Sequence, residues 1–204
     1  MATPGAISRL ASPIDDLDRE TTLSENLLNA LASYQPISTQ EVTDLARIQE
    51  AATYRDVFSR SAELHVTASA LVVHVPTRRV LLRWHTKMQQ WMQVGGHFDA
   101  GETDPWAVAV REAREETGLD DLASPTDPPS LVQVVIVPVP TNGSEHAHEH
   151  ADLRYVLTTD HPESITPESS AAVLRWMEID AARDEVDEEN LREFLDRVAA
   201  TIST

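Results

Sequence analysis

Three glutamates, Glu112, Glu115 and Glu116, form the most chemically distinctive group in the sequence. Residues at positions i, i+3 and i+4 lie on one arc of a helix, so the three carboxylates would face the same side. Like charges at this spacing repel one another unless a cation lies among them. Hard carboxylate oxygens are ligands that Mg²⁺ and Mn²⁺ prefer. The spacing suits a divalent-cation site, but by itself it is equally compatible with a solvated acidic face, so the surrounding residues must decide between the two.

The glutamates lie in a strongly acidic part of an acidic chain. From Asp99 to Asp121 there are eight acidic residues and two arginines, a net charge of -6, which is a third of the formal charge of -18 on all 204 residues. With 34 acidic against 16 basic residues, the chain is poorly suited to hold phosphates through Lys and Arg alone. We therefore expect no nucleic-acid partner, and binding of a polyanion would need a metal ion.

A helix from Pro105 to Thr117 is predicted to position these carboxylates. Asp104 is a suitable N-cap, Pro105 occupies the first helical position, and Gly118 provides a left-handed residue after the C-terminus. The apolar residues of the helix fall on a second arc; they are Trp106, Ala109, Val110 and Ala113. One face of the helix is therefore expected to pack on a core while the other presents the carboxylates.

The residues around this helix resemble the Nudix box, whose pattern is G-x5-E-x7-R-E-U-x-E-E-x-G-U, where U is an aliphatic residue. Gly96, five residues and Glu102 match the first half, and Arg111 to Leu119 match the second half, with Ala113 at the first aliphatic position. Eight residues, 103–110, separate Glu102 from Arg111 where the pattern has seven. The box thus departs from the family pattern by one inserted residue, which leaves the role of Glu102 open.

The inserted residue is expected in the loop from Ala100 to Asp104, because the helix itself stays in phase with the box. We predict that this loop bulges and leaves the glutamates of the helix facing a turn at Gly95 and Gly96. A box helix rotated away from that turn would instead favour a domain without catalytic activity.

The resemblance implies an α+β fold class, with a Nudix-like α/β/α sandwich and a mixed β-sheet. It also implies Mg²⁺-dependent (or Mn²⁺-dependent) hydrolysis of a pyrophosphate linkage in a nucleoside diphosphate joined to another moiety. By position in the box, Glu115 and Glu116 would be metal ligands, and Glu112 a further ligand or the general base. Arg111 would orient a box glutamate, and the Gly96 carbonyl would be another metal ligand. A non-catalytic Nudix-like nucleotide-binding or regulatory domain is the alternative.

A second group of polar residues follows the turn signal Asn142-Gly143. In an extended chain His148, His150, Asp152 and Arg154 share one face of a strand. The forked guanidinium of Arg154 suits a phosphate, and Asp152 is expected to orient that guanidinium or a histidine by ion pairing. We therefore predict a substrate-binding rim at these four residues. A zinc site is a weaker alternative, because the helical H-E-x-x-H spacing is absent, and an exposed loop without a role is another.

The rest of the chain supplies the elements that must position these groups. Strands are predicted where β-branched residues are frequent and glycine or proline is rare, and a C-terminal helix is predicted where apolar residues recur at helical spacing. The predicted strands are residues 65–75, 80–84 (the hairpin partner of the first), 131–139, 152–158 and 173–179, and the predicted C-terminal helix is 188–200. Trp84 and Trp91 are expected to pack in the core, although Arg83, directly before Trp84, could meet a phosphate.

Residues 1–60 are predicted to be an N-terminal helical extension, and residues 61–204 a Nudix hydrolase domain with a C-terminal helix. Leucines at 17, 27, 28 and 31 predict a first helix that ends before Pro36. Ser38 to Glu41 has the pattern of a capping box, in which the Ser hydroxyl and the Glu carboxylate each accept from a free backbone N–H. In the helix that follows this capping box, one face is predicted to be formed by Val42, Leu45, Ala46 and Gln49.

The chain contains no cysteine, which excludes disulfides, thiolate metal sites and cysteine nucleophiles. The N-terminus lacks a basic patch followed by an apolar run, and no apolar stretch is long enough to span a bilayer. We therefore expect a cytoplasmic protein that has no membrane partner and acts on a small-molecule nucleoside diphosphate derivative. Whether it forms a homodimer is left open.

Overall fold

The computed structural model describes residues 25–54, 56–102, 104–141, 143 and 146–202. Within these ranges the strands are β1 (Leu64–His74), β2 (Arg79–His85), β3 (Gln90–Met92), β4 (Val94–His97), β5 (Gln133–Val139), β6 (His148–Thr158) and β7 (Leu174–Glu178). The helices are α1 (residues 25–32), α2 (Thr39–Ala51), α3 (Pro105–Thr117), α4 (Ile179–Glu185) and α5 (Glu189–Thr201). Short 3₁₀ turns lie at Val75–Thr77 and Pro162–Ser164. None of the described helices is both long and apolar enough to cross a membrane.

The strands form one mixed sheet around β1. The order is β3-β2-β1-β6-β5, while β4 also pairs with β1 and β7 with β2. β1 and β6 are parallel, with His65 beside His150 and Thr67 beside Asp152, whereas β4 is antiparallel to β1 and places His97 beside Thr67. This register brings polar residues from three strands together at one end of the sheet.

Each face of the sheet is covered by helices. Side chains alternate between the two faces of a strand, so Val66, Ala68 and Ala70 of β1 join the core beneath α1, α2 and α3. Leu71 and Val73 join the opposite core, which includes the apolar faces of α4 and α5. This arrangement confirms the predicted α+β sandwich with a mixed sheet.

The predicted elements around the box are observed, and some short elements were missed. α3 has the predicted limits, since Asp104 caps its N-terminus by accepting from the Trp106 N–H at 2.9 Å and Gly118 has a φ of 69°. Strands occur at all five predicted positions, and the first two pair as predicted. β6 begins at His148 and not at residue 152, while β3, β4 and α4 were not predicted.

The N-terminal helices join the same core as the sheet. Ser38 caps α2 as predicted, but the Glu41 carboxylate accepts from the Ile37 N–H at 2.9 Å and not from Ser38 itself. The predicted apolar face of α2 is wrong, because Val42 is 55% exposed and the buried residues include Glu41 and Asp44. Asp44 accepts from the Ile136 N–H of the edge strand β5 at 3.0 Å. Leu17 and the rest of residues 1–24 of the predicted extension lie outside the described residues.

Candidate active site

The two glycines of strand β4, Gly95 and Gly96, are in direct contact with the acidic face of α3. The Gly95 N–H donates to Glu116 Oε2 at 3.2 Å. At Gly96, a Cβ would lie only 2.5 Å from the carboxyl carbon of Glu112, so the absence of a side chain lets this carboxylate approach the backbone. Gly96 is required by this close approach and not by a left-handed φ, since it is not among the positive-φ glycines. The predicted turn at these glycines is wrong, since both lie in a strand, but Glu112 and Glu116 of the box helix do face them as predicted.

Burial destabilises the charged forms of these two glutamates. Desolvation raises the pKa of Glu116 to about 7, in spite of the Arg83 guanidinium and the Gly95 N–H that favour its carboxylate form. Desolvation also raises the pKa of Glu112, although Arg111 lies 2.9 Å from its Oε1. Both groups would be stabilised as carboxylates by a nearby cation.

Arg111 links most of the acidic residues of the box. Its guanidinium donates to both carboxylate oxygens of Glu102, at 2.6 and 2.9 Å, and to the His97 carbonyl at 2.9 Å. It also donates to Glu115 at 3.1 Å. Although burial raises the pKa of Glu102, hydrogen bonds from Arg111 and from the Asp99 N–H lower it overall. Glu102, whose role the inserted residue had left open, is therefore a principal partner of Arg111.

The loop that carries the inserted residue makes a tight turn. The Asp99 N–H donates to the Glu102 carboxylate at 2.7 Å, and the Glu102 N–H donates to the Asp99 carbonyl at 3.1 Å. These bonds place the Glu102 carboxylate beside Arg111. Thr103, within the predicted bulge, lies outside the described residues. Glu115 is less enclosed than the other two helix glutamates, with a side chain 57% exposed.

The donor set fits a hard divalent cation. The carboxylates of Glu112 and Glu116 both lie against the glycines of β4, where burial disfavours their charged forms. Glu115 adds a third carboxylate about one helical turn from Glu112. Mg²⁺ is bound in proteins by few carboxylates together with water and substrate phosphate oxygens. The residues present match that requirement.

A cleft of about 230 Å³ adjoins this acidic face. Its lining includes Gly95, Gly96 and Glu116, together with Asp152, Arg154, His97 and His150. Asp152 accepts hydrogen bonds from Thr67 at 3.0 Å and Ser69 at 2.8 Å, both from β1. The parallel pairing of β1 and β6 thus places Asp152 in the lining of the same cleft as Glu116.

Arg154 is the most deeply buried member of the predicted substrate rim, at 1% exposed. Its Nε donates to Asp152 at 2.8 Å, which is the expected ion pair. Its Nη1 donates to Gln133 at 3.0 Å and to Asn190 at 2.8 Å. These contacts hold Arg154 at the floor of the cleft, where it positions Asp152.

Arg83 is the cation nearest to Glu116 in this cleft. Its Nη1 lies 3.2 Å from Glu116 Oε1, and its Nη2 pairs with Glu168. The Nε of Arg83 is a buried donor that has no hydrogen-bond partner among the described residues. Trp91 is buried in the core beneath α5 and Trp84 packs against that core, as expected. Arg83, which precedes Trp84 in β2, lies in the lining of the cleft. Sequence reasoning noticed Arg83 but did not place it at the site.

The remaining rim residues lie at the end of the cleft. His150 lines both this cleft and a neighbouring groove, whereas His148 lines only the groove. His65 and His97 lie against them, which sequence reasoning missed. The alternating polar residues His65, Thr67 and Ser69 within an otherwise apolar strand were the signal that could have revealed this polar region.

Two solved structures have a similar fold. An Ap4A hydrolase from C. elegans, as a binary complex, matches with a TM-score of 0.53 and 18% identity, over 68% of this chain and 97% of that chain. The dihydroneopterin triphosphate pyrophosphohydrolase of E. coli also gives a TM-score of 0.53 and 18% identity, over 67% of this chain and 95% of that chain. At this level of identity the match supports the fold.

Sequence comparison gives the family. A probable DHNTP pyrophosphohydrolase from Lactococcus lactis subsp. cremoris (strain MG1363) is 26% identical over 145 residues, which are 70% of this chain and 83% of the relative. The NUDIX domain family matches residues 63–198, a range that contains the two glycines of β4, the box helix and the cleft. The chain therefore belongs to the Nudix family and is a Nudix hydrolase.

Proposed function

We propose that this protein is a Mg²⁺-dependent pyrophosphohydrolase, with Mn²⁺ as a substitute, that cleaves a pyrophosphate linkage in a nucleoside diphosphate derivative. The observation that carries the proposal is the contact of Glu112 and Glu116 with Gly95 and Gly96 of β4, where burial raises the pKa of both carboxyl groups. Such buried carboxylates beside an open cleft are costly unless a cation and an anionic substrate occupy the site together.

Each box residue has a distinct proposed role. Glu115, Glu116 and the Gly96 carbonyl would hold the metal ion, and Glu112 would be a further ligand or the general base that takes a proton from the attacking water. Arg111 orients Glu112 and Glu115 and is itself held by Glu102. When bound, the metal ion would neutralise charge on the diphosphate and make water a better nucleophile. Positioning and charge neutralisation are the main requirements of phosphoryl transfer.

A polar wall of the cleft, formed from β6, is proposed to hold the rest of the substrate. Asp152 faces the cleft, and Arg154 holds it in place from the floor. His150 continues this wall, and His148 extends it toward the neighbouring groove. Asp152→Asn should raise KM more than it lowers kcat, because Asp152 lines the cleft from β6 and is not part of the box helix.

The substrate is best sought among the compounds that similar proteins are named for. Dihydroneopterin triphosphate is indicated by the Lactococcus and E. coli proteins, and Ap4A by the C. elegans protein. The test is to incubate the purified chain with each compound, with nucleoside diphosphate sugars and with nucleoside triphosphates, with and without Mg²⁺, and to measure release of phosphate or pyrophosphate. Full activity in EDTA would contradict the metal requirement.

Site variants connect the activity to the box. Glu115→Gln and Glu116→Gln should remove nearly all activity while the protein stays folded, as judged by circular dichroism and the melting temperature. Added Mg²⁺ should raise the melting temperature of the wild type by mass action. Glu178→Gln, which changes an exposed glutamate of β7, is the matched control and should stay active. Nucleotide binding without hydrolysis by the wild type would favour the non-catalytic alternative.

A further inference from the structure

We propose that His65, His97, His148 and His150 bind one transition-metal ion of the Zn²⁺ class, at a site separate from the box carboxylates. This inference goes beyond the proposed function and does not depend on it. The four imidazole rings form one cluster, in which five pairs of ring centroids are 4.8 to 5.1 Å apart.

The sheet topology assembles this cluster from three strands. His65 of β1 lies beside His150 of the parallel strand β6, and His97 ends β4, opposite Thr67 of β1. His148 precedes His150 by two residues and therefore shares its face of β6. The cluster thus sits where the cleft and the neighbouring groove meet, next to the glycines of β4.

The hydrogen bonds of two rings direct nitrogen lone pairs into the cluster. His65 Nδ1 lies 3.0 Å from the Ala62 carbonyl, and His148 Nδ1 lies 2.9 Å from the His146 carbonyl. A carbonyl oxygen can only accept, so each Nδ1 carries a proton, and in the neutral ring each Nε2 has a lone pair. In this structure the Nε2 of His65 accepts from His97 Nε2, and the Nε2 of His148 accepts from His150 Nε2. A backbone carbonyl that fixes the far nitrogen in this way is the usual support of a metal-binding histidine.

The distances between ligand atoms suit a small tetrahedral ion. Zn–N bonds of about 2.0–2.1 Å at tetrahedral angles require nitrogen atoms roughly 3.4 Å apart. The Nε2 atoms of His65 and His97 are 3.1 Å apart, and those of His148 and His150 are 3.2 Å apart. The ligand nitrogens of His65, His148 and His150 all lie within 4.8 Å of one another, so modest ring rotations would close the site around one ion.

The electrostatic environment favours a cation bound by neutral imidazoles. Desolvation lowers the pKa of His150 to about 4, and it lowers the pKa of His65 as well. These two rings are therefore uncharged at neutral pH, which is the form of imidazole that binds metal. Imidazole nitrogen suits Zn²⁺, Cu²⁺ or Ni²⁺ better than Mg²⁺. A net charge of -18 also attracts cations to the protein.

A bound ion would connect this cluster to the box. The carbonyl of His97 accepts from Arg111, and His97 follows Gly96 directly in the chain. Four nitrogen ligands would fill all positions of a tetrahedral ion, which is typical of structural zinc.

The sequence of the His-rich segment gave little support for zinc, because only the spacing within that segment was considered. Two of the four ligands come from outside that segment.

The experiment is a metal titration of the metal-free protein without an affinity tag. Calorimetry with Zn²⁺ should give one equivalent bound, and Co²⁺ should give the intense visible absorption of a tetrahedral site. His148→Ala, at a partly exposed position, should lose more affinity than the roughly 10–100-fold typical of removing an outer partner. His65→Gln should do the same, but His65 is only 1% exposed, so His148→Ala is the decisive variant if this one does not fold.

Matched controls locate the ion. His161→Ala changes a histidine whose side chain is 64% exposed and should bind Zn²⁺ as the wild type does. The double variant Glu115→Gln/Glu116→Gln should also keep one equivalent, which separates this site from the box even if the proposed hydrolysis is not observed. The proposal is overturned if the wild type binds no Zn²⁺, or if the glutamate variant loses the ion while His148→Ala retains it.

Discussion

Replacing Gly96 by alanine tests whether the close approach of Glu112 to the backbone of β4 matters for catalysis. The new Cβ would lie 2.5 Å from the carboxyl carbon and from Oε1 of Glu112, whereas ordinary van der Waals contact begins at 3.4 Å. The carboxylate, at the end of a flexible side chain, must therefore retreat by about 0.9 Å. Since φ of Gly96 is not positive, the backbone accepts alanine without strain.

A displacement of this size has a large expected effect on rate and a small one on stability. A misplacement of about 1 Å in an active site can reduce the rate roughly 100-fold, equivalent to about 2.7 kcal/mol. Gly96→Ala should therefore lower kcat of the Mg²⁺-dependent hydrolysis by about two orders of magnitude. Its melting temperature should stay within a few degrees of the wild type.

A double-mutant cycle distinguishes this mechanism from general damage to β4. In Glu112→Ala the carboxylate is gone, so adding Gly96→Ala should lower kcat little further, and the two effects should not add. Fully additive losses would mean that Gly96 acts independently of Glu112. Wild-type activity in Gly96→Ala would refute the reasoning altogether.

Three further predictions concern stability and are checked by urea unfolding. Burial and its hydrogen bond to Glu41 raise the pKa of Tyr34 to about 12 from 10, so the stability that Tyr34 contributes is complete below pH 10 and should fall by roughly 2–3 kcal/mol as pH rises to 12. Burial also raises the pKa of Tyr155, so the wild type should lose more than this in total, and Tyr34→Phe should lose roughly 2–3 kcal/mol less than the wild type. Glu41→Gln leaves the half-buried Arg197 without its carboxylate partner and should cost about 3–5 kcal/mol, against less than about 1 for Glu178→Gln in an exposed pair. Phe194→Ala in the core beneath α5 should cost about 3–5 kcal/mol, and a loss below about 1 would mean that α5 packs loosely.

The box helix was predictable because all its signals are local. Asp104, Pro105 and Gly118 are the caps of α3, and the apolar arc and the acidic arc both follow from helical period. The main strands were predictable for the same reason, since β-branched runs favour extended chain wherever they pack. The division of the chain at residue 60 stays a prediction.

The glycine-rich strand β4 illustrates what local signals miss. Val94–His97 contains two glycines and has little intrinsic preference for a strand. It is extended because β1 supplies hydrogen-bond partners along Thr67 to Ala70. Similarly, Asp44 and Glu41 are buried on α2 because an edge-strand N–H and Arg197 pair with them, which helical periodicity does not reveal.

The cleft and the histidine cluster depend on strand register. His65 and His150 are far apart in sequence and become neighbours only through the parallel pairing of β1 with β6. A shift of one residue in that register would turn every side chain of one strand to the other face of the sheet. The sequence by itself determines the types of these residues and their positions along each strand. Their meeting is decided by pairing between distant segments, which depends on the packing of the whole sheet.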